Sequence, residues 1–297
     1  MPLTGQWTHR QAIVNGVRLH YVEAGEGPLV ILLHGFPEFW YSWRLQIPVL
    51  AKAGFYVIAP DMRGYNTSEK PPGVRSYELE RLTADVAALV EHAGAECAVV
   101  VGHDWGGALA WHLPAHYPAL VSKLVIMNAP HPAAFERELR TWQQLKRSWY
   151  IGFFQLPWLP ETVIRLAGRA LLERVFREGS SHPEAFSDED IDRYHEAIHQ
   201  PGALTASINY YRAFFRRALR PGGPNGHPTV TVPTLLLWGE RDDFLVPALS
   251  EGLEPYVPKL RLERIPEAGH WLQLDAPERV NRALLDFLAD LQARPSG

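Results

Sequence analysis

The sequence predicts an α/β fold, in which a mostly parallel sheet carries helices on both faces and an inserted helical lid. Short, uninterrupted apolar runs recur along the chain, as expected for strands that are buried on both faces: residues 29–33, 55–59, 98–101, 124–127 and 234–238. Residues 260–265 form a further strand-like run. Stretches with helical periodicity separate several of these runs, and this alternation is typical of parallel βαβ units. A lid is indicated because the alternation fails from about residue 131 to residue 228.

The elements before the lid have clear local signals. Residues 10–24 alternate around Asn15-Gly16, a dipeptide that adopts positive φ at low cost, so we expect an N-terminal hairpin. Helices are expected over residues 40–53 and 77–93, because each periodic stretch ends at a glycine that can cap it, Gly54 and Gly94. A third helix, over residues 277–291, closes the chain.

The predicted domain organisation is a main domain of residues 1–130 and 229–297 with a lid of residues 131–228. The lid sequence is helical, aromatic and rich in arginine, and it ends in a Pro/Gly-rich loop over residues 221–228. A strand signal at Val230 marks the expected return of the sheet. Five lid aromatics are expected to pack the lid against the main domain, with pocket lining as the alternative: Trp142, Trp149, Phe153, Phe154 and Trp158.

Composition excludes several classes of protein. The 297 residues are 46% apolar and 21% charged with a formal net charge of −4, which is ordinary for a globular protein and excludes disorder, collagen and coiled coil. Positive charge is scattered, so nucleic acid is excluded as a partner. The absence of an export signal and of any apolar run near ~18 residues predicts a cytoplasmic protein without an integral membrane segment. The single cysteine, Cys97, excludes an internal disulfide and is expected to be buried on a strand.

One acidic residue lies between glycines at a predicted strand-to-helix junction, in the segment Gly102-His103-Asp104-Trp105-Gly106. Glycines two residues on either side of the central side chain relieve the crowding of a sharp turn, which is typical of a nucleophile elbow. The start of the following helix favours a negative charge at this position. Taken alone, the segment is more typical of an Asp that caps the helix, because Asp is a preferred residue at that position.

Two further segments are expected to meet this elbow, because each follows a predicted strand. The turn after His34-Gly35 can direct the Phe36 N–H toward the same point as the Trp105 N–H, which would make an oxyanion hole, although a simple tight loop is the alternative. Asp242 and His270 follow the last two strands. The resulting order of nucleophile, acid and histidine is the one that α/β-hydrolases use.

Three motifs closely resemble the epoxide hydrolases of the α/β-hydrolase fold: HGFPEFWYSWR at residues 34–44, DMRGY at 61–65 and GHDWGG at 102–107. The resemblance runs nearly end to end and implies an eight-stranded sheet. Residues 148–150 and 209–212 match the two segments that carry the family's paired tyrosines, which assigns these roles to Tyr150 and Tyr211. The chain looks most like the branch that includes the vertebrate membrane-associated members. It lacks their N-terminal anchor, so a membrane location is not implied.

The resemblance implies an epoxide hydrolase without cofactor or metal, acting as a monomer or homodimer on a small apolar epoxide and water. Asp104 would attack the epoxide and form an alkyl ester, and His270 would activate the water that hydrolyses it to a vicinal diol. The family-like Gly-x-x-Asp pattern that begins at Gly239 selects Asp242, rather than Asp243, as the acid that holds His270.

Four residues are expected to contact the substrate. Tyr150 and Tyr211 would bind the epoxide oxygen through their hydroxyls, because a phenol donates a proton or hydrogen bond at neutral pH. Phe36 and Trp105 would line the pocket as well as provide the oxyanion N–H groups. Glu38 either orders the hydrolytic water or is a solvated loop carboxylate, and the sequence leaves both open.

Two other functions fit the same fold. A haloalkane dehalogenase shares the Asp nucleophile, but it tends to have Asn or Glu where this chain has Phe36, and it would leave the two lid tyrosines without a role. A non-catalytic ligand-binding protein could lose the nucleophile, acid or base, and all three are present. Serine esterases are disfavoured because residue 104 is Asp.

Overall fold

Eight strands form one sheet in the computed structural model, which describes residues 7–218, 227 and 229–291. They are β1 Thr8–Val14, β2 Val17–Ala24, β3 Leu29–Leu33, β4 Tyr56–Pro60, β5 Ala98–His103, β6 Val121–Met127, β7 Thr234–Gly239 and β8 Leu260–Ile265. Their order across the sheet is β1-β2-β4-β3-β5-β6-β7-β8. Strand β2 is antiparallel to both of its neighbours, and all later pairs are parallel. The predicted mostly parallel, eight-stranded sheet is confirmed.

Helices flank the strands in the described part of the chain. They are α1 Ile47–Lys52, α2 Leu79–His92, α3 Trp105–His116, α4 Pro132–Glu138, α5 Trp142–Arg147, α6 Trp149–Phe153, α7 Leu159–Glu178, α8 Asp188–His199, α9 Ala203–Ala218, α10 Leu272–Asp275 and α11 Pro277–Leu288. The helix expected over residues 40–53 is instead a 3-10 turn, Trp40–Trp43, followed by α1. The reason is Pro48, which lacks an N–H and therefore fits only near the start of a helix.

The local turns follow the predicted chemistry. Asn15 and Gly16 adopt φ values of 48° and 72° and join β1 to β2 as an antiparallel hairpin. Gly54 and Gly94 have φ values of 88° and 70° just after α1 and α2. These residues therefore end the helices as expected, in a left-handed conformation that is inexpensive for glycine.

The sheet is buried on both faces. Along β3, Ile31 and Leu33 belong to one apolar cluster and Val30 and Leu32 to the other, as the alternation of side chains in a strand requires. Parallel strands in such a sheet bring their carboxyl ends to a common edge. The loops after β3, β5, β7 and β8 therefore come together, and these loops contain the residues singled out in the sequence.

Six helices, α4 to α9, lie between β6 and β7; we call residues 132–218 the α4–α9 segment. The expected loop over residues 221–228 lies outside the described residues except for His227. The strand expected at Val230 is wrong, because the sheet resumes only at Thr234. Pro233, which has no N–H for a ladder, accepts a hydrogen bond from Leu124 at 2.9 Å and directs the chain into β7.

Two burial predictions are also wrong. Cys97 is exposed, because β5 begins one residue later. Trp142, Trp149 and Trp158 do not pack against the main domain, since their exposed fractions are 76%, 67% and 81%. Phe154, by contrast, is buried as expected, with its ring 5.7 Å from that of Phe36. Helix α5 is held by its buried Gln144, which hydrogen bonds to the loop after β7, and the opposite face of the helix turns its tryptophan outward.

Candidate active site

A sharp turn lies between β5 and α3. Its central residue, Asp104, has φ 49° and ψ −117°, a strained conformation for a residue with a side chain. A Cβ at Gly102 would lie 2.3 Å from the Gly106 carbonyl oxygen, and one at Gly106 would lie 2.1 Å from the Leu33 carbonyl oxygen. Only glycine fits at these two positions, which explains the spacing seen in the sequence.

The loop after β3 brings a backbone donor to the Asp104 carboxylate. The Phe36 N–H donates to Asp104 Oδ1 at 2.8 Å. Trp105 is the first residue of α3, so its N–H has no partner within that helix. Of the two donors expected to form an oxyanion hole, the Phe36 N–H thus contacts the carboxylate, and the Trp105 N–H belongs to the next residue along the chain.

His270 connects the other two loops. Its Nδ1 lies 2.7 Å from Asp242 Oδ2, and its Nε2 lies 3.9 Å from Asp104 Oδ2. Asp242 is buried and accepts two further hydrogen bonds at Oδ1, from the Phe244 and Leu245 N–H groups. The neighbouring Asp243 is exposed. The three side chains Asp104, Asp242 and His270 therefore form one connected group, and Asp242 is the acid that contacts the imidazole.

The charged forms of His270 and Asp242 stabilise each other. Burial lowers the pKa of His270, but the adjacent Asp242 carboxylate, and beyond it Asp104, outweigh burial and raise the pKa to about 9. Burial raises the pKa of Asp242, and its contact with His270 more than offsets that effect, so the pKa lies below its ordinary value. At neutral pH the buried pair is therefore an imidazolium and a carboxylate.

Two tyrosines approach the group from the α4–α9 segment. Tyr150 on α6 and Tyr211 on α9 have ring centroids 5.8 Å apart, and the Tyr211 ring lies 5.5 Å from that of Phe36. Burial, and after it the Asp104 carboxylate, raise the pKa of both hydroxyls above the ordinary value. Both groups are consequently protonated hydrogen-bond donors at neutral pH.

A cavity of about 1500 Å³ contains the reactive groups. Its wall includes five of the predicted site residues: Phe36, Asp104, Tyr150, Tyr211 and His270. The indole of Trp105 is not part of this wall. Its ring centroid lies 5.0 Å from that of Tyr211 and 6.0 Å from that of Phe214, so it packs against two residues that are part of the wall. Among the described residues, no cluster of three His, Cys, Asp or Glu side chains could hold a metal ion.

The comparisons with known proteins agree on one family. A family model described as alpha/beta hydrolase fold matches residues 28–277. The chain is 44% identical to the AB hydrolase superfamily protein YfhM of Bacillus subtilis, over 92% of this chain and 95% of that protein. It is 41% identical to human epoxide hydrolase 4, over 93% of this chain and 77% of that protein.

Solved structures give the same result. An inhibitor complex of the Bacillus megaterium epoxide hydrolase superposes with a TM-score of 0.86 at 35% identity, covering 94% of this chain and all of that one. The chain belongs to the epoxide hydrolase family of the alpha/beta hydrolase fold. Within the part of this family member that the structure describes, no helix is long and apolar enough to cross a membrane.

In this epoxide hydrolase family member, Glu38 is not a solvated loop carboxylate, because only 1% of it is exposed. Its Oε2 accepts hydrogen bonds from the Gly35 N–H at 2.9 Å and from His103 Nδ1 at 2.8 Å. The second His103 nitrogen lies 2.9 Å from the His270 carbonyl oxygen. Burial raises the pKa of Glu38, and His103 more than offsets this, so the carboxyl is ionised. Glu38 and His103 thus connect the backbone of the loop after β3, at Gly35, to the backbone of the loop after β8, at His270.

Sequence reasoning missed Asn128, which follows β6. Its Nδ2 donates to Asp242 Oδ2 at 2.5 Å and to the Gly269 carbonyl at 3.2 Å, and its Oδ1 accepts from the Gly239 N–H at 2.7 Å. The residue has φ 38°, in the left-handed region where Asn is enriched among residues with side chains. The signal in the sequence that could have identified this residue is an Asn directly after a buried strand.

Proposed function

We propose that the chain hydrolyses epoxides to vicinal diols through a covalent alkyl ester on Asp104. The observation that carries the proposal is the meeting, in one apolar cavity, of the Asp104 carboxylate, the His270 imidazole and two protonated tyrosine hydroxyls. An attacking carboxylate suits an alkyl carbon, and two phenols suit the oxygen on which charge develops when the ring opens. Human epoxide hydrolase 4 and the Bacillus megaterium enzyme are two of the relatives whose names give the same activity.

The first step would open the ring. A carboxylate oxygen of Asp104 bonds to one epoxide carbon, the carbon–oxygen bond of the ring breaks, and the electron pair moves to the epoxide oxygen. Tyr150 and Tyr211 hydrogen bond to this oxygen, and one of them transfers its proton. The tyrosinate that remains takes a proton from the His270 imidazolium, which becomes neutral. His270 is able to release this proton because esterification removes the Asp104 charge, one of the charges that raise its pKa.

The second step would hydrolyse the ester. Neutral His270, oriented by Asp242, takes a proton from water, and the oxygen of that water adds to the Asp104 carbonyl carbon. The Phe36 and Trp105 N–H groups stabilise the negative oxygen. Collapse releases the diol oxygen, which takes the remaining proton of the added water. Asp104 is again a carboxylate and His270 again an imidazolium, the state in which the cycle began.

The two steps assign different work to the two parts of the chain. Residues 1–130 and 229–297, the proposed main domain, provide Asp104, Asp242 and His270, whereas residues 131–228, the proposed lid, provide Tyr150 and Tyr211. This division is supported by the position of the α4–α9 segment between β6 and β7, with its two tyrosines on the cavity wall. The proposal includes a cytoplasmic location and a monomeric or homodimeric state, neither of which the reaction requires.

A substrate panel tests the proposed function. Terminal, disubstituted and long-chain epoxides are incubated with the protein beside a haloalkane, and diol and halide are measured. Diol formation with enzyme-dependent turnover is expected, and halide release without diol would replace the proposal with a dehalogenase. Single turnover in oxygen-labelled water should place the label in the Asp104 carboxylate, because the ester carbonyl belongs to the protein. Label found only in the diol would exclude the covalent step.

A further inference from the structure

The α4–α9 segment contains a buried ion pair that the proposed reaction does not use. Arg212 directly follows Tyr211 on α9, and Glu161 lies in the first turn of α7. Each residue is only 7% exposed, and Arg212 Nη1 lies 2.7 Å from Glu161 Oε1. Both partners are buried in none of the other ion pairs that the structure describes within this segment. A charge at such a depth is costly unless it is fully hydrogen bonded.

The guanidinium of Arg212 meets this requirement. Its Nε donates to the Phe154 carbonyl at 2.9 Å, and its Nη2 donates to the Leu156 carbonyl at 2.9 Å and to Glu161 Oε2 at 3.1 Å. Its Nη1 donates to Glu161 Oε1 at 2.7 Å and to Asn209 Oδ1 at 3.4 Å. These five contacts match the five N–H groups of a guanidinium. The side chain therefore has one defined orientation, and it joins the turn after α6 to the start of α7 and to α9.

The turn that Arg212 binds directly follows the helix that carries Tyr150. Helix α6 has only five residues, and a helix of that length is not stable from its own hydrogen bonds. The Phe154 N–H donates to the Tyr150 carbonyl at 2.9 Å, and the Phe154 carbonyl accepts from Arg212. Two hydrogen bonds thus connect the backbone of Tyr150 to the residue that follows Tyr211.

A second link joins the same two helices. Gln155 Nε2 donates to the Ile151 carbonyl at 2.9 Å and to the Tyr211 carbonyl at 3.4 Å. Ile151 is the residue after Tyr150. The turn after α6 and helix α9 are therefore bonded through a side chain from each of them, Gln155 from the turn and Arg212 from the helix.

Stability alone is a weak reason for a buried ion pair. The cost of removing both charges from water offsets most of their attraction, and apolar residues of similar volume often replace such a pair without loss of stability. A guanidinium fork differs from an apolar pair because it fixes both the distance and the direction of its partners. Fixed geometry matters at this place, since the proposed reaction needs two hydroxyls from different helices at one epoxide oxygen.

We propose that Arg212 is a positioning residue that sets the separation of Tyr150 and Tyr211 for ring opening. It holds the end of α6 against α9 and so keeps both hydroxyls directed at the same point of the cavity. Arg212 is not part of the cavity wall, so it acts through the tyrosines and not on the substrate. The effect on ring opening rests on the proposed function. The separation of the two rings is a property of the chain alone and is measured without substrate.

Arg212→Lys tests the effect on the reaction. The variant keeps the charge but replaces the five-donor fork with three donors on one nitrogen. Ring opening should slow by about ten- to a hundredfold, because a displacement of about 1 Å in a binding group has an effect of this size. Hydrolysis of the ester should change little, since Asp242 and His270 keep their contacts. Rapid mixing with an aryl epoxide in a single turnover separates the two phases.

Arg44→Lys is the matched control. Arg44 is also buried, and it binds the same kinds of group, the Tyr41 and Ala185 carbonyls and the Asp190 carboxylate. None of these groups is next to either cavity tyrosine in the chain. The control should leave the rates of both phases unchanged, whatever its effect on the free energy of unfolding.

A double-mutant cycle distinguishes positioning from a general structural effect. When both tyrosines are already phenylalanine, Arg212→Lys should slow ring opening no further, because the hydroxyls through which it acts are gone. Circular dichroism verifies that each variant is folded. If Arg212→Lys does not fold, Arg212→Met with Glu161→Leu removes both charges together and leaves no unpaired buried ion, and the same two phases are measured.

Fluorine NMR of the chain labelled with 3-fluorotyrosine observes the two rings without substrate. The resonances of Tyr150 and Tyr211 are assigned from their phenylalanine variants. Arg212→Lys should shift or broaden both resonances, and Arg44→Lys should leave them unchanged.

Three results would overturn the proposal. One is unchanged tyrosine resonances in the Arg212 variant, another is equal slowing of ring opening by Arg44→Lys, and the third is a further loss when both tyrosines are already phenylalanine. The proposed function fails separately, if the original chain forms no diol. In that case the resonances still decide whether Arg212 sets the separation of the tyrosines.

Discussion

The two halves of the candidate active site are held in place by different forces. Asp104, Asp242 and His270 follow strands of one sheet, and we call them the strand-end half. Directional hydrogen bonds and glycine contacts fix each of the two carboxylates. Tyr150 and Tyr211 come from helices, and we call them the helical half. Their rings pack against each other and against the ring of Phe154. Hydrogen bonds therefore position the three residues that follow strands, and side-chain packing positions the rings of the two tyrosines. The first half would set the chemistry of the ester, and the second would set ring opening and the choice of substrate.

The largest expected effect comes from removing the nucleophile in the strand-end half. Asp104→Ala should reduce epoxide turnover by roughly 10⁴-fold or more, because neither proposed step proceeds without the ester. Turnover of a simple aryl epoxide and mass spectrometry of the peptide that contains residue 104 are the measurements. Residual activity close to that of the unaltered chain would remove Asp104 from the mechanism.

A neighbouring pair of acids tests the hydrogen bonds of the same half. Asp242→Asn should slow ester hydrolysis by about 10²- to 10⁴-fold, because the imidazole loses the carboxylate that orients it. Asp243→Asn is the matched control, with the same change of charge one residue away, and should alter the rate little. Single-turnover kinetics separate ester formation from hydrolysis. The reverse pattern in these two variants would assign the acid to Asp243.

Substitutions in the helical half should have smaller and partly redundant effects. Tyr150→Phe and Tyr211→Phe should each slow ring opening by about ten- to a hundredfold, and the double variant by ~10²–10⁴-fold, since the two hydroxyls share one oxygen. Ester hydrolysis, followed in the second phase of a single turnover, should change little. A double variant that opens epoxides at nearly the original rate would exclude both tyrosines.

The smallest expected effect is on stability, and it belongs to the strand-end half alone. The pKa of His270 is raised from 6.5 to about 9, so its charge stabilises the folded state fully below pH 6.5, and this contribution is lost as pH rises through 9. The free energy of unfolding should therefore fall over this interval, and less steeply in His270→Gln. Denaturant titrations at several pH values measure it. Equal slopes for the two proteins would contradict the imidazolium assignment.

The sequence was most informative where local backbone geometry restricts the residue type. Glycines flank Asp104 because the turn leaves no room for a Cβ, and that constraint can be read without the structure. Asn15-Gly16 and Gly54 are similar, since each needs positive φ. The order of Asp104, Asp242 and His270 along the chain then indicated which loops meet at the edge of a parallel sheet.

Features that depend on packing between distant segments were less accessible. The burial of Glu38 depends on His103 and Gln273, which lie far along the chain and donate to its carboxylate. The outward position of Trp142 depends on how Gln144 is held by the loop after β7. No periodicity within 131–228 indicates which face of a short helix meets the sheet, so the expected packing of the lid tryptophans was wrong.

Asn128 has a consequence for how the molecule opens. Its single side chain bonds to Gly239, Asp242 and Gly269, and so links the ends of β6, β7 and β8. Proteins open locally in contiguous cooperative units, and segments with shared hydrogen bonds are expected to belong to one such unit. We therefore expect the amides of Phe244 and Leu245 to lose protection together with that of Gly239. The Asp104 turn is joined to the same unit, because the Asp104 N–H donates to the Met127 carbonyl of β6, and it is joined to the β3 side as well, because the Gly106 N–H donates to the His34 carbonyl.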